Sequence, residues 1–446
     1  MERKIKMKRI FAFLLTLLLA FLTACTAAAP AATSPAASAP SVPASATVSV
    51  SPSVATQSAG PQEITFMIPP WGEPSADALK KFTQDTGIKV NLNIVGWDEV
   101  RDKIAIAAVG QTAPADVCEV DWSWVGEFSA AGWFDVLDIL DADKQDMPTL
   151  SSFTVGGKVI AVPYGNDFRI GYYNTEHFGK AGISTAPTNW DELLADAQKL
   201  KSTSASKYPI CLTLSASETC TTSLIWLTLA RSGNFFNEDG TFNKDNFLST
   251  LQFVNKMYKE DKVIDPAMAT MKDTEVIQYF LDGKGSFIVG PTNTAVIMND
   301  ATQSSVVQKC KAMLIPGRAG VASVSMALPE GIGIPAYSKN KEAARKFLDW
   351  YISPDNQLVQ NVTQGCLPTR NSVLKTMMDQ GKLPEGETVL AQAAVIKPAF
   401  PAGTPSWYPE MSATIYNTVN EMITSNKTPE DAIKVIDAKI AELLAK

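Results

Sequence analysis

The chain has 446 residues, 46% apolar and 19% charged, with 39 Lys and Arg against 46 Asp and Glu for a net charge of −7. That length asks for two domains or more, and that balance excludes a chain disordered throughout. An acidic total also argues against a nucleic-acid binder, which needs a basic face.

The N-terminal residues reverse that sign. Residues 1–24 hold Arg3, Lys4, Lys6, Lys8 and Arg9 against Glu2, followed by the apolar run Ile10–Leu22. As a helix this run spans about 20 Å, short of a hydrocarbon core of roughly 30 Å, so it reads as the apolar part of a secretory signal. Met7, followed by Lys8 and Arg9, makes as good a start as Met1. Leu22-Thr23-Ala24-Cys25 resembles the bacterial lipobox. The resemblance implies that residues 1–24 are removed and that Cys25 is lipidated, holding the protein on a membrane at about 0.8 kcal/mol per buried methylene. After Cys25, residues 26–60 are Ala, Ser, Pro, Thr and Val with one Gln, one Gly and no charge. They read as a disordered tether reaching about 30–35 Å as a coil and about 110 Å in full polyproline extension.

From residue 61 onward, strand and helix patterns alternate. Ile64–Ile68 is a short apolar run ending at Pro69-Pro70. Ser75 fits the N-cap of a helix carrying Leu79 and Phe82 and closed by Gly87. Ile88, Val90, Leu92 and Ile94 alternate with polar residues, the period of a strand. A helix follows over about 98–109, then a strand at Asp116–Val120. Strands separated by helices predict a parallel sheet covered on both faces. Lys158–Val162, Arg169–Tyr173 and Ser286–Val289 read as further strands, and Asn237–Gly240 as a turn. Thr188-Asn189-Trp190-Asp191 resembles a capping box with Asp191 as its acid. A helix over 341–352 is predicted to stop at Ser353-Pro354, and a last helix to start at Thr428-Pro429.

Cysteines and catalytic signatures contribute little. Besides Cys25 there are Cys118, Cys211, Cys220, Cys310 and Cys366, an odd number outside any zinc spacing. Cys211–Cys220 is the local disulfide candidate, with buried thiols as the alternative. The one histidine, His177, lies in a polar connector; there is no nucleophile elbow, no zinc signature and no P-loop. Asp141-Ala-Asp-Lys-Gln-Asp146 lacks the glycine of a calcium loop and reads as a solvated acidic connector. The chain is therefore read as a non-enzyme with no cofactor and no metal.

Large aromatics sit instead in connectors. Trp71 follows the first strand, and Asp121-Trp122-Ser123-Trp124 follows the third. Tyr164, Asn166, Asp167 and Arg169 lie between two strands, and Trp407-Tyr408 sits in the proline-bounded loop 405–409. In open α/β sheets ligands bind beyond the carboxyl ends of strands. Exposed rings there stack on the C–H faces of a sugar while neighbouring polar groups take its hydroxyls. The alternative for each ring is to cap its own core. Arg169 would meet a carboxylate or sulfate on the ligand, or form a surface pair.

In chain order, Phe82–Val90, Pro114–Val117 with Trp122–Gly132, Gly157–Pro163, Tyr172–Asn174, Lys180–Gly182 and Thr188–Glu192 resemble segments of the extracellular solute-binding proteins, family 1, of ABC importers. Pro316-Gly317, Gly331–Ile334, Ser338–Ala344 and Leu367–Arg370 complete the series. The resemblance implies an α/β, periplasmic-binding-protein-like (type II) fold of two lobes joined by a hinge around a ligand cleft. Lobe one would be about 61–165 with 327–352, and lobe two about 169–314 with 357–446, with crossings near 164–168, 315–326 and 351–357. It implies a monomeric, membrane-tethered receptor that passes a carbohydrate, in the first instance an oligosaccharide, to ABC permease subunits. Asp167, Ser123, Trp124 and Glu218 fall at or near positions where family members hold ligand contacts, and Asn293, just past Gly290-Pro291-Thr292, is a further candidate contact. Thr292 and Ile415 stand where maltodextrin binders have aromatics, which argues against a maltodextrin. Rival readings keep the fold for a polyamine or peptide, or make the chain a glycan-degrading lipoprotein.

Overall fold

Apolar side chains at alternate positions decide which face of each strand is buried, and here both faces are. In the computed structural model, which describes residues 62–400 and 403–446, Ile64, Phe66 and Ile68 enter one core while Met67 enters another. Val117 likewise opposes Cys118 and Val120. The expected signal, the expected lipidation site Cys25 and the whole of the tether lie outside the described residues.

Nine strands build the two main sheets: β1 (Gln62–Ile68), β2 (Ile88–Ile94), β3 (Val117–Asp121), β4 (Val162–Gly165), β5 (Ile170–Asn174), β6 (Ile210–Cys211), β7 (Phe287–Gly290), β8 (Cys310–Met313) and β9 (Glu330–Gly333). The first sheet has the order β2-β1-β3-β9-β4, and the second β8-β5-β7-β6. Each, with its helices, forms one α/β lobe. The expectation of parallel sheets fails in both. β1 is parallel to β2 and β3, but β9 runs antiparallel to β3 and β4, and β5 antiparallel to β7 and β8. A strand supplied by chain returning from the other lobe need not enter in the direction of a local crossover.

The chain passes from the first sheet to the second between β4 and β5, and back between β8 and β9. The helix Lys341–Tyr351 ends just before Ser353-Pro354, as expected, and the same pair opens the next helix: the Asn356 N–H donates to Ser353 Oγ, and Pro354 takes the first-turn position that needs no N–H. That helix, Pro354–Gln364, stays on lobe one. Gln364 donates to the Glu73 carbonyl at 3.1 Å, and Gln357 holds Thr369, whose hydroxyl donates to the Pro163 carbonyl at 3.0 Å. Arg370 then pairs with Asp143 at 2.7 Å, which gives the acidic connector a structural role. Contact with the second sheet resumes at Glu385, which accepts from the Ala312 N–H, and at Gln392, which accepts from the Ile315 N–H. The chain therefore stays against lobe one past residue 357, while Leu367 already joins the core of lobe two.

Local signals are read more accurately. Ser75 caps Ala76–Thr86, and Gly87 ends it at φ +74°, a conformation that favours glycine. Thr428 caps Pro429–Leu444. At 188–192 the cap is Asn189 and the acid is Glu192, which accepts from the Thr188 N–H at 2.7 Å, so the Asp191 assignment is one residue off. Cys211 and Cys220 are free buried thiols, and the proposed bridge is not made.

Candidate ligand cleft between the lobes

β3 delivers the first wall. Its last residue, Asp121, accepts from the N–H of Ser123 at 2.8 Å and from the Ser123 hydroxyl. This bond caps a single 3₁₀ turn, Trp122–Trp124, in which successive side chains diverge by a third of a turn. Trp122 leaves lobe one altogether: it joins the core of lobe two, edge-on to Tyr408 at 5.2 Å. Trp124 turns back onto Trp97 at 5.2 Å and Phe128 at 5.9 Å. Ser123 and Trp124 face a cavity of about 370 Å³ between the lobes.

The opposite wall comes from lobe two. Glu218 opens the helix Glu218–Ser232, and its carboxylate accepts from the hydroxyls of Tyr408 and Ser412 on the helix Tyr408–Thr424. Tyr408 and Tyr416 line the same cavity. At the rim, Lys272 of lobe two pairs with Asp98 of lobe one at 2.7 Å. Arg101 also lines the cavity, donating from Nε and one Nη to Glu127 at 2.8 and 2.7 Å and from its other Nη to Asp102 at 3.2 Å.

The predicted site residues divide into three groups. Ser123, Trp124, Glu218 and Tyr408 line the cavity, with Asp121 directly behind Ser123. A second group lies at the β4–β5 crossing and on β9. Asp167 pairs with Arg169 at 2.6 Å and accepts from the Thr292 N–H at 3.0 Å. Tyr164 donates to Glu330 at 2.7 Å, and Trp71 donates its indole N–H to the same oxygen. Asn166 is held through its backbone to Leu367, and the side-chain oxygens of Asn166 and Asn293 are buried without a protein partner. The third group does not meet the cavity. Trp122 packs as described, and Trp407 rests against Phe236 and Phe400 at 6.4 and 6.1 Å, outside the cavity lining. Both rings take the core-capping alternative.

Sequence reading missed Trp97, Asp98, Arg101, Asp102, Lys272 and Tyr416 on the cavity wall. It also missed Glu119 and Glu330 at the heart of the first sheet. Glu119 has no exposed surface, and neither carboxylate oxygen has a protein partner. Burial, with Glu330 adding to it, holds Glu119 well above the usual carboxylate range. Burial also pushes Glu330 up to about 8, Glu218 up to about 7 and Asp121 up to about 6. The hydroxyls on Glu218 and Asp121 oppose that rise without cancelling it.

A family model described as bacterial extracellular solute-binding protein matches residues 71–358. The chain belongs to this family. Among curated relatives, a Brucella abortus protein whose name says binding protein and no more is 26% identical over 386 residues, covering 84% of this chain and 90% of that one. A Sinorhizobium fredii protein named a probable amino-acid ABC transporter periplasmic-binding protein is 24% identical, covering 83% and 86%. The mannitol-binding protein of Pseudomonas aeruginosa is 24% identical, covering 64% and 69%. Among solved structures, maltose-bound MalE3 of T. maritima superimposes with a TM-score of 0.76 at 24% identity, over 85% of this chain and 99% of that one. A Thermotoga lettingae solute-binding protein bound with α-D-tagatose gives 0.77 at 22%, over 86% and 100%. The fold of this solute-binding protein is therefore that of the periplasmic sugar-binding proteins, and its family places it outside the cytoplasm.

Proposed function

We propose that this protein captures a small carbohydrate or polyol between its lobes and presents it to an ABC permease from a lipid anchor at Cys25. The observation that carries the reading is the cavity of about 370 Å³, walled by Trp97, Trp124, Tyr408 and Tyr416 and edged by serine and carboxylate groups. That volume is at the low end of the roughly 300–1,000 Å³ usual for ligand sites, which favours a mono- or disaccharide over a long oligomer. The walls come from both lobes, so a solute contacts all of them only when the lobes are together. That difference in contact is what drives closure.

The test is a titration of intrinsic tryptophan fluorescence with a panel of sugars, polyols and amino acids. A saturable response to a sugar or polyol that Trp124→Ala weakens by about 30-fold or more supports the reading, since a buried aromatic anchor contributes about 2 kcal/mol or more. A response to an amino acid and to no sugar overturns it. Separately, Cys25→Ala is expected to release the protein from the membrane fraction.

A further inference from the structure

Two hydroxyls on the cavity wall have their hydrogens already spent. In lobe one, Ser123 donates its hydroxyl to Asp121, which also takes the Ser123 N–H at 2.8 Å. In lobe two, Tyr408 donates its hydroxyl to one oxygen of Glu218, and Ser412 donates to the other. An ionised carboxylate accepts and never donates, so each of these bonds runs in one direction. What Ser123 and Tyr408 have left for a solute is a lone pair on oxygen.

Both residues line the same cavity, one from each lobe. A solute that reaches both must bring a donor to each. A carboxylate brings lone pairs to lone pairs and leaves buried acceptors unpaired, at about 1–3 kcal/mol each. The cations on the wall do not offset this. Lys272 is held by Asp98, and Arg101 by Glu127 and Asp102. Ser217, in a hydroxyl chain with Ser215 and Thr219, and Tyr416 can still donate, so the constraint acts at two points of the wall rather than over all of it.

We infer that Ser123 and Tyr408 are specificity-determining acceptors, fixed in that role by the acids behind them, and that they select a neutral polyhydroxylated solute over its carboxylate-bearing counterpart. The inference rests on the carbohydrate reading proposed above and narrows it to sugars and polyols that donate at both points.

Calorimetric titration of the full chain with matched pairs tests this: glucose with gluconate and glucuronate, galactose with galacturonate, mannitol with mannonate, and maltose with maltobionate. The titrations are run at about pH 8.5, above the pKa values of Asp121 and Glu218, which stand at about 6 and about 7. In each pair whose neutral member binds, that member should bind about tenfold or more tightly than the acid, a difference of about 1.4 kcal/mol. Glu218→Gln and Asp121→Asn reverse the bond: an amide nitrogen can donate to the hydroxyl, which then turns its own hydrogen to the cavity. Each variant should bring the ratio below about threefold, in part by tighter binding of the acid, with the neutral sugar as the control within each variant. Where a variant does not fold, the wild-type ranking decides. An acid that binds as tightly as its neutral partner, or a ratio that survives both variants, overturns the inference and leaves the carbohydrate reading intact. An amino acid bound with no sugar or polyol sinks that reading, and no binding across the panel counts against both.

Discussion

Two aromatic connectors meet across the cleft, and they divide their labour differently. In lobe one, Asp121–Trp124 sends Trp122 out to the other lobe and keeps Ser123 and Trp124 on the cavity. In lobe two, Trp407 goes to the core against Phe236 and Phe400, and its neighbour Tyr408 takes the cavity. In each pair of rings one grips the scaffold and the other faces the cavity. In a tight turn or a helix start, adjacent side chains must diverge, so a double aromatic is a scaffold contact and a cavity wall in one.

The largest test of that division compares the two tryptophans directly. Trp124→Ala should lose about 30-fold or more in affinity and also destabilise the fold by about 3 kcal/mol, since Trp97 and Phe128 lose their neighbour. Trp407→Ala should cost about 2–3 kcal/mol in urea unfolding while changing affinity by less than about threefold. Equal effects on affinity would erase the distinction.

The next test uses the carboxyls that the connectors hold. Asp121 anchors the first connector, and Glu218 is gripped by Tyr408 of the second. With Glu330, their pKa values stand raised at about 6, 7 and 8. The native protein therefore keeps protons that the unfolded chain releases. The stability due to these groups is complete below the ordinary carboxylate range and is lost as pH rises through 6, 7 and 8. Without ligand, urea unfolding should give a stability about 2–4 kcal/mol lower near pH 8.5 than near pH 5, and Glu218→Gln should flatten part of that slope. A flat profile would mean that these carboxyls are better solvated than their burial indicates.

A third test separates the flanks of the connectors. A Cβ on Gly126 would lie 2.1 Å from the Thr404 carbonyl oxygen and 2.6 Å from the Pro405 carbonyl carbon, both backbone atoms. Gly126→Ala must therefore push lobe one away from the loop that leads into Tyr408. A loss of about 1–3 kcal/mol is expected, with weaker ligand binding. Unchanged affinity would show that closure does not depend on this contact.

How much of this was legible beforehand follows from the range of each signal. Caps are local, so Ser75, Gly87, Thr428 and Pro429 could be read from their neighbours. The antiparallel entry of β9 and the stay of the chain against lobe one past residue 357 depend on partners far away in sequence, such as Thr369 with Pro163 or Arg370 with Asp143, and no short window contains them. At the cleft, Ser123, Trp124 and Tyr408 stood out because large or polar residues in connectors have no helix or strand period to satisfy. Trp97, Asp98 and Arg101 were missed because they look like the opening turn of an amphipathic helix, as indeed they are. Their other face, the one turned to the cavity, has meaning only once lobe two is in place. Glu119 and Glu330 lay hidden in strands, where a lone acid among apolar neighbours was the available clue.

The smallest expected effect is at the rim. Lys272 and Asp98 join the lobes at 2.7 Å, but their side chains are 66% and 46% exposed. An ion pair in such surroundings contributes about 0–1 kcal/mol, most of it screened at high salt. Lys272→Ala should therefore lower affinity by less than about fivefold in dilute buffer and leave it unchanged near 1 M salt. The comparison of the connectors depends on this smallness. If the alanine variant lost as much affinity as Trp124→Ala, with salt reproducing the loss in the wild type, the lobes would be held shut by charge at the rim. The buried rings would then shape the cavity without deciding whether it closes.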